Sequence, residues 1–394
     1  MGHHHHDVPP GLGPLTSFTH THDGSTHTHV HATDAGAPAP RLHLRGVLLP
    51  EDVECDLWIH DGVVSFERVA GALTVATGVW ILPGLVDAHC HVGLEAHGGV
   101  DEAQAEEHAV ADRDAGTLLI RDAGSPVDTH WMDEREDLPK IIRAGRHIAR
   151  PKRYSRNFAE EVEPDELVAE VVTQARRGDG WVKIVGDWID RDAGDLTPLW
   201  PVDIAREAIA AAHARGARVT AHCFDECSVS ELVDAGVDGI EHGTGLDDTT
   251  IAIMAERGVA LVPTLINIAN FPDYAASGEA KFPGYAAHMR ALYERRYETI
   301  GKAVDAGVPV FAGTDAGGNV VHGRIADEVA ELAHVAGAQY ALGAASWRAR
   351  EWLGEPALTE GAPADLVAFD ADPRVQVGAV RHPRLIVLRG RVVG

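Results

Sequence analysis

The sequence predicts an α/β protein: a (β/α)8 TIM barrel carrying a small β-sandwich domain built from both chain ends. Three observations predict it. Short apolar alternations broken by turn residues follow Arg41 and return near the C-terminus in ADLVAFDADP and RLIVLRGRVVG. Between them, from Ile81 to about Leu353, strand-like runs alternate with alanine-rich helical patterns, several closed by glycine, the residue favoured just past a helix end. No G-x-G-x-x-G follows the first strand of that middle segment, which disfavours a doubly wound open sheet.

Taken in order, residues 1–40 are poor in large apolar groups and rich in His, Thr, Gly, Pro and Asp. Such a stretch cannot bury enough apolar surface to fold by itself, and it reads as a disordered His-rich leader or tag with loose affinity for divalent metal. Residues 41–82 and 356–394 make the composite β domain. Within it WIHDGVVSF sets Asp61-Gly62 between two apolar runs, a hairpin signal, and neither end alone supplies enough strands for a stable sheet. Residues 83–355 make the barrel. Its strands are read in LVDAHCHVG, TLLIRDAG, RHIAR, WVKIVGDW, RVTAHCF, GIEHGT, ALVPTLIN and VPVFAGTDAG. Helices are read in PVDIAREAIAAAHARG, CSVSELVDAG, TTIAIMAERG and ALYERRYETIGKAVDAG.

Composition narrows the partners. Asp and Glu total 60 against 34 Lys and Arg, a formal net charge of -26, so nucleic acid and anionic membrane are excluded as partners and a small-molecule substrate is expected. Four cysteines in 394 residues do not make a disulfide framework, and Cys223 and Cys227 alone are a thin basis for a structural zinc. MGHHHHDVPP lacks the apolar core of a secretory signal, and no run of 18 apolar residues occurs; a cytoplasmic protein is expected.

The polar residues that interrupt the apolar strands point to chemistry. His89 and His91 stand one residue apart at the end of the first barrel strand, and residues i and i+2 of a strand share a face. Lys183 lies in the fourth strand, His222 ends the fifth, His242 the sixth and Asp315 the eighth, all toward the rim where barrel chemistry sits. Four imidazoles and a carboxylate suit Zn²⁺, with Mn²⁺, Fe²⁺ and Co²⁺ also compatible. A lysine ammonium would repel such an ion, so Lys183 fits only if neutral, modified or turned away.

The motifs PGLVDAHCH, VKI, HC, GIEHGT and GTDAG resemble the amidohydrolase superfamily, in particular its imidazolonepropionase-like and metal-dependent dipeptidase (prolidase-like) branch, over nearly all of residues 41–394. The resemblance implies two divalent metal ions, most simply Zn. His89, His91 and Asp315 would hold one, His222 and His242 the other, with a carbamylated Lys183 bridging both. Imidazolonepropionases proper use a single metal and lack the lysine, so Lys183 favours the two-metal group. The implied activity is hydrolysis of an amide-type C–N bond in a small substrate such as a dipeptide or N-acyl amino acid. A metal-bridging hydroxide attacks, with Asp315 as general base and then acid. Cyclic amides, carbamates, ureas and esters, xenobiotics included, fit the same centre, and the 24 histidines keep a non-hydrolytic metal-binding role in view. Relatives are commonly oligomeric, which leaves a homo-oligomer open.

Substrate contacts are expected from RHIARPKRYSRNF, where Arg150, Lys152, Arg153, Tyr154 and Arg156 could grip a carboxylate and His147 could polarise the scissile carbonyl. His322, Asn267 and Asn270 are expected to shape the pocket. Members of the branch often carry GGH after the third strand; this chain has ARPKRYSRNF, so no substrate identity carries over.

Overall fold

The computed structural model describes residues 40–393, together with the backbone of residues 15–22 and 25–32. The expected unstructured leader lies largely outside these residues. Two pieces of it, Leu15–His22 and Ser25–Ala32, pair antiparallel as a separate two-stranded sheet. Their sequences alternate threonine or valine with histidine, a pattern that favours extended backbone. The chain divides into two units, one running to Leu85 and resuming at Arg350, the other spanning Val86–Ala349.

The first unit carries one seven-stranded sheet. Its order is Arg391–Val392, Leu385–Leu388, Leu366–Phe369, Leu73–Pro83, Leu42–Leu48, Val53–His60, Val63–Ser65. Both chain ends contribute and join as one hydrogen-bonded sheet, whose Val63–Ser65 edge returns to the C-terminal half through a bridge between Val63 and Pro363. The ends join through Leu73–Pro83, eleven residues long, which pairs with Leu42–Leu48 on one edge and Leu366–Phe369 on the other. Leu42, Leu44, Leu57, Ile59, Val79, Ile81, Leu366 and Val387 take alternate positions and pack in one buried cluster. Asp61 and Gly62 both have positive φ, 51° and 81°, as a two-residue type I′ hairpin requires.

The second unit is built on parallel strands: β1 (Leu85–Glu95), β2 (Thr117–Asp122), β3 (Lys140–Arg143), β4 (Trp181–Val185), β5 (Arg218–Cys223), β6 (Gly239–His242) and β7 (Ala260–Val262). One sheet runs β3-β2-β1-(Ala316–Gly318); the other continues from Ile148–Ala149 through β4, β5, β6 and β7. Residues 309–312 hydrogen-bond to both sheets, through Leu261 of β7 and Ala88 of β1. Helices fill the connections. Glu226–Ala235 and Asp248–Arg257 each start on an aspartate, Asp225 or Asp247, whose side chain accepts a free backbone N–H. Each ends on a left-handed glycine, Gly236 or Gly258.

Several expected strands are shorter than their apolar runs. KIIR makes β3, while RHIAR contributes only Ile148–Ala149. WVKIVGDW breaks at Gly186, where any Cβ would sit 2.6 Å from the His222 carbonyl oxygen, and the chain leaves as an antiparallel hairpin, Asp187–Asp190 with Asp195–Pro198. ALVPTLIN ends as a strand at Val262, before Pro263, and turns into the short helix Leu265–Ile268. VPVFAGTDAG yields a single bridge, Leu261 to Val310, and the short Ala316–Gly318. Among the described residues no helix is long and apolar enough to cross a membrane, and the four cysteines are free.

Two outcomes test these arrangements. A Cβ on Gly46 would meet the Val79 carbonyl oxygen at 2.0 Å, so Gly46→Ala must part the Leu42–Leu48 and Leu73–Pro83 strands. Denaturant unfolding should show a loss of about 1–3 kcal/mol, the usual cost of overpacking. In the second unit His288 lies between Glu226 (3.0 Å) and Asp195 (2.9 Å), and these carboxylates, Glu226 foremost, raise its pKa to about 9. A raised folded-state pKa gives stability that is complete below the unfolded value near ~6.5 and disappears as pH climbs through about 9. Discounted for exposure, the contribution is on the order of 1 kcal/mol. Melting temperature should fall from pH 6.5 to 9.5 more steeply in the wild type than in His288→Asn.

Candidate metal centre

Alternation along β1 makes the site. Cys90 and Val92 pack outward on Ala105 and Ala109 of helix Glu102–Asp114, which turns His89 and His91 to the opposite face. Asp315 meets them there. His89 Nε2 and His91 Nε2 are 3.2 Å apart, and Asp315 Oδ1 lies 3.1 and 3.0 Å from them. Asp87 braces the approach: its carboxylate accepts the His89 and Thr314 N–H groups and the Thr314 hydroxyl, tying β1 to the loop that carries Asp315. Asp315 itself sits at φ 58°, and His242 and Thr264 at 69° and 49°, so three non-glycine residues at strand ends hold left-handed backbone. Such conformations persist where surrounding structure fixes them, and they aim side chains off the strand direction.

The outer nitrogens of the imidazoles are committed. His91 Nδ1 lies 2.7 Å from the Gly124 carbonyl oxygen, which can only accept, so Nδ1 carries the proton. Burial holds His91 below the usual imidazole range and keeps it neutral, leaving a lone pair on Nε2. His89 Nδ1 faces Glu241 Oε2 at 2.7 Å, and His242 Nδ1 faces the Thr264 hydroxyl at 2.7 Å. Burial pushes the Glu241 carboxyl up, but Arg121, 2.5 Å away, and His89 outweigh it and hold Glu241 well below the carboxylate range. Thr220 donates to the same carboxylate.

A second pair adjoins the first. His222 Nδ1 and His242 Nε2 are 2.9 Å apart, and the His89 and His242 ring centres are 5.2 Å apart. His222 Nε2 is buried without a hydrogen-bond partner, 4.0 Å from the equally unpartnered Asp187 Oδ1. Lys183 projects from β4 into the same interior, two positions before Val185, the register partner of His222. It is buried, with no hydrogen bond or ion pair among the described residues. Burial pushes its ammonium below the usual lysine range. The donor set fits a cation: His89 Nε2, His91 Nε2 and Asp315 Oδ1 converge on one point, and although burial lowers the pKa of the His89 imidazole, Glu241 and Asp315 outweigh it and raise it, so positive charge is favoured there.

Above these groups opens a cavity of about 270 Å³, with His91, His222 and Asp315 at its floor and Tyr154, Trp188, Phe224, Asn267 and Tyr274 in its walls. Asn267 Nδ2 donates to Asp315 Oδ2 at 2.6 Å, and its oxygen accepts from the Tyr274 hydroxyl at 3.0 Å. Asn267 thus acts on Asp315 as well as on the cavity. Glu328 fixes this turn by accepting the Leu265 and Ile266 N–H groups. His147 is fully buried beside His91, ring centres 4.7 Å apart, and neither ring nitrogen has a partner. It lies behind Tyr154 and does not line the cavity.

Two expected contacts are corrected. The Arg153 guanidinium is occupied by Asp190, the Trp188 and Thr197 carbonyls and the Thr197 hydroxyl, so it anchors the 187–198 hairpin and is not offered to a substrate. His322 does not reach the cavity either. Gly317 and Gly318, both at positive φ, carry the chain away, and His322 bonds Asp112 and stacks on His108 at 4.3 Å. Asn270 is also outside the lining. Sequence reasoning missed Glu241, which stands beside His242 in GIEHGT, and the aromatic residues Trp188 and Phe224, which follow Lys183 and His222 within a few positions.

Parallel strands ending in a histidine and aspartate cluster define a class of α/β protein with a candidate metal centre at the strand ends. This chain belongs to the amidohydrolase family, which matches residues 80–393. It is 59% identical over 358 residues to a protein of Mycobacterium tuberculosis (strain ATCC 25618 / H37Rv) termed uncharacterized protein Rv2915c, covering 90% of this chain and 96% of the relative. In structure it is similar to a Xaa-Pro dipeptidase with bound methionine in its active site, at TM-score 0.77 and 21% identity, over 90% of this chain and 100% of that one. Similarity extends to A. niger ochratoxinase, at TM-score 0.73 and 17% identity, over 90% of this chain and 96% of that one.

Glu241→Gln should release His89 from its single orientation. Titration with a chromophoric chelator should then show metal affinity about 10–100-fold weaker, the usual cost of losing a partner behind a ligand.

Proposed function

We propose that the protein is a metal-dependent hydrolase of an amide-type C–N bond in a small substrate, the group that includes dipeptides and N-acyl amino acids. In this reading the two parallel sheets, linked through residues 309–312, close as the (β/α)8 barrel. The observation that carries the proposal is the convergence of His89 Nε2, His91 Nε2 and Asp315 Oδ1 within 3.0–3.2 Å while the other nitrogen of His91 is committed as a donor. His222 Nδ1 and His242 Nε2 would hold a second ion, and nitrogen and oxygen donors of this kind favour Zn²⁺.

Lys183 completes the set. Burial lowers the Lys183 ammonium from its usual range, and the free amine can bond to the carbon of CO₂ and release one proton, becoming a carbamate anion with two oxygen donors. Without it, only His89, His91 and Asp315 come together as three donors of the proposed set, a single-ion site. When bound, the divalent ions supply an acidified water and polarise the scissile carbonyl.

The chain's own groups do the rest. Burial raises the Asp315 carboxyl, but His89 and then His91 outweigh it and keep Asp315 ionised, ready to take the proton of the attacking water. Asn267 fixes its second oxygen, so the carboxylate cannot rotate away before it returns that proton to the leaving nitrogen. The hydroxyl of Tyr154 has no hydrogen-bond partner among the described residues and faces the cavity, better placed than His147 to donate to a substrate carbonyl.

Metal analysis with a panel of N-acyl amino acids, dipeptides and cyclic amides tests the reading. Chelation should abolish hydrolysis and added Zn²⁺ restore it. Asp315→Asn should cut kcat more than ~100-fold; retention of a tenth of the activity, a loss under ~1.4 kcal/mol, rejects the base assignment. Lys183→Ala should lower bound metal from about two ions per chain toward about one.

A further inference from the structure

We propose that the substrate is an uncharged aromatic amide, an aromatic ring joined to the scissile bond with no free carboxylate beside it. This rests on the hydrolytic reading above and narrows its substrate class.

Six aromatic side chains line the cavity: Tyr154, Phe158, Trp188, Phe224, Tyr274 and Tyr285. They begin at the metal-side imidazole. The His222 ring centre lies 4.3 Å from Phe224, 5.5 Å from Trp188 and 5.6 Å from Tyr154, and Tyr154 and Trp188 meet edge to face at 4.7 Å. A substrate ring entering here finds further faces and edges at the spacing aromatic pairs prefer. A cavity of about 270 Å³ suits a single ring with a short chain, not an extended peptide.

The rest of the lining is a polar chain that carries no cation among the described residues. Asn319 donates to the Tyr274 hydroxyl, which donates to Asn267, which donates to Asp315. Asp315 is the one carboxylate in the lining, and neither lysine nor arginine appears there among the described residues. In a dipeptide or N-acyl amino acid the free carboxylate sits two bonds from the scissile nitrogen, so it would be drawn into this lining. Burying a carboxylate without a cationic partner is costly. The nearby arginine that could serve, Arg153, spends its guanidinium on the 187–198 hairpin. A formal net charge of -26 further opposes the approach of an anion.

The test compares three acetamides on the Zn²⁺-loaded full chain: N-acetylphenethylamine, N-acetylphenylalanine and N-acetylbutylamine. All share the scissile bond; the second adds a carboxylate and the third lacks the ring. The phenethyl compound should have kcat/KM at least ~10-fold above either of the others. Trp188→Ala should shrink its advantage over the butyl compound, and Arg176→Ala, an exposed residue outside the lining, should change none of the three. Equal or better hydrolysis of N-acetylphenylalanine overturns the proposal while leaving the hydrolase reading intact. So does a selective loss of N-acetylphenylalanine turnover in Arg156→Ala, or parity of the butyl compound. If none is cleaved, the hydrolytic reading fails separately, and calorimetric titration still decides the substrate class. Tighter binding of N-acetylphenethylamine than of N-acetylphenylalanine supports it, and the reverse order overturns it.

Discussion

The buried carboxylate of Glu241 is the constraint on which the rest of the site depends. An imidazole offers a lone pair to a cation only if its other nitrogen holds the proton, and something must fix which nitrogen that is. Glu241 does this for His89, and it can stay ionised in the interior because Arg121 and Thr220 also bind it. The Gly124 carbonyl does the same for His91. Groups behind the imidazoles thus orient them, and the inner nitrogens of His89 and His91 are left facing Asp315.

Lys183 is the complementary problem. A primary amine buried near five imidazoles and the carboxylates of Glu241 and Asp315, with no hydrogen bond among the described residues, is disfavoured as an ammonium ion by its burial. The same burial disfavours its charge and enlarges the share of free amine. Strained backbone at His242, Thr264 and Asp315 belongs to the same economy: extended strands alone would not turn these side chains to a common point.

The cavity's polar wall is a chain of neutral donors ending on Asp315, and its aromatic wall leans on His222. The two walls share Asn267 and Tyr274, which bond to one another and, through Asn267, to Asp315, so changes on one side will be felt on the other.

By itself the sequence determined the alternation of strand and helix, the sheet drawn from both ends, and which polar residues interrupt apolar strands. Those are local properties: period, turn chemistry, and spacing of i and i+2. The grouping of His89, His91 and Asp315 was legible because several polar residues fall at the ends of apolar strands, not because any one of them is diagnostic. Arg153 and His322 were misread because sequence proximity to a rim does not say where a long side chain finds its partners; a hairpin absorbs one and Asp112 the other. The joining of seven strands into one sheet, the proton held by Glu241 and Gly124, and the grouping of six aromatic rings were decided only in three dimensions. Each depends on residues dozens to hundreds of positions apart, and no local pattern encodes which of them will touch.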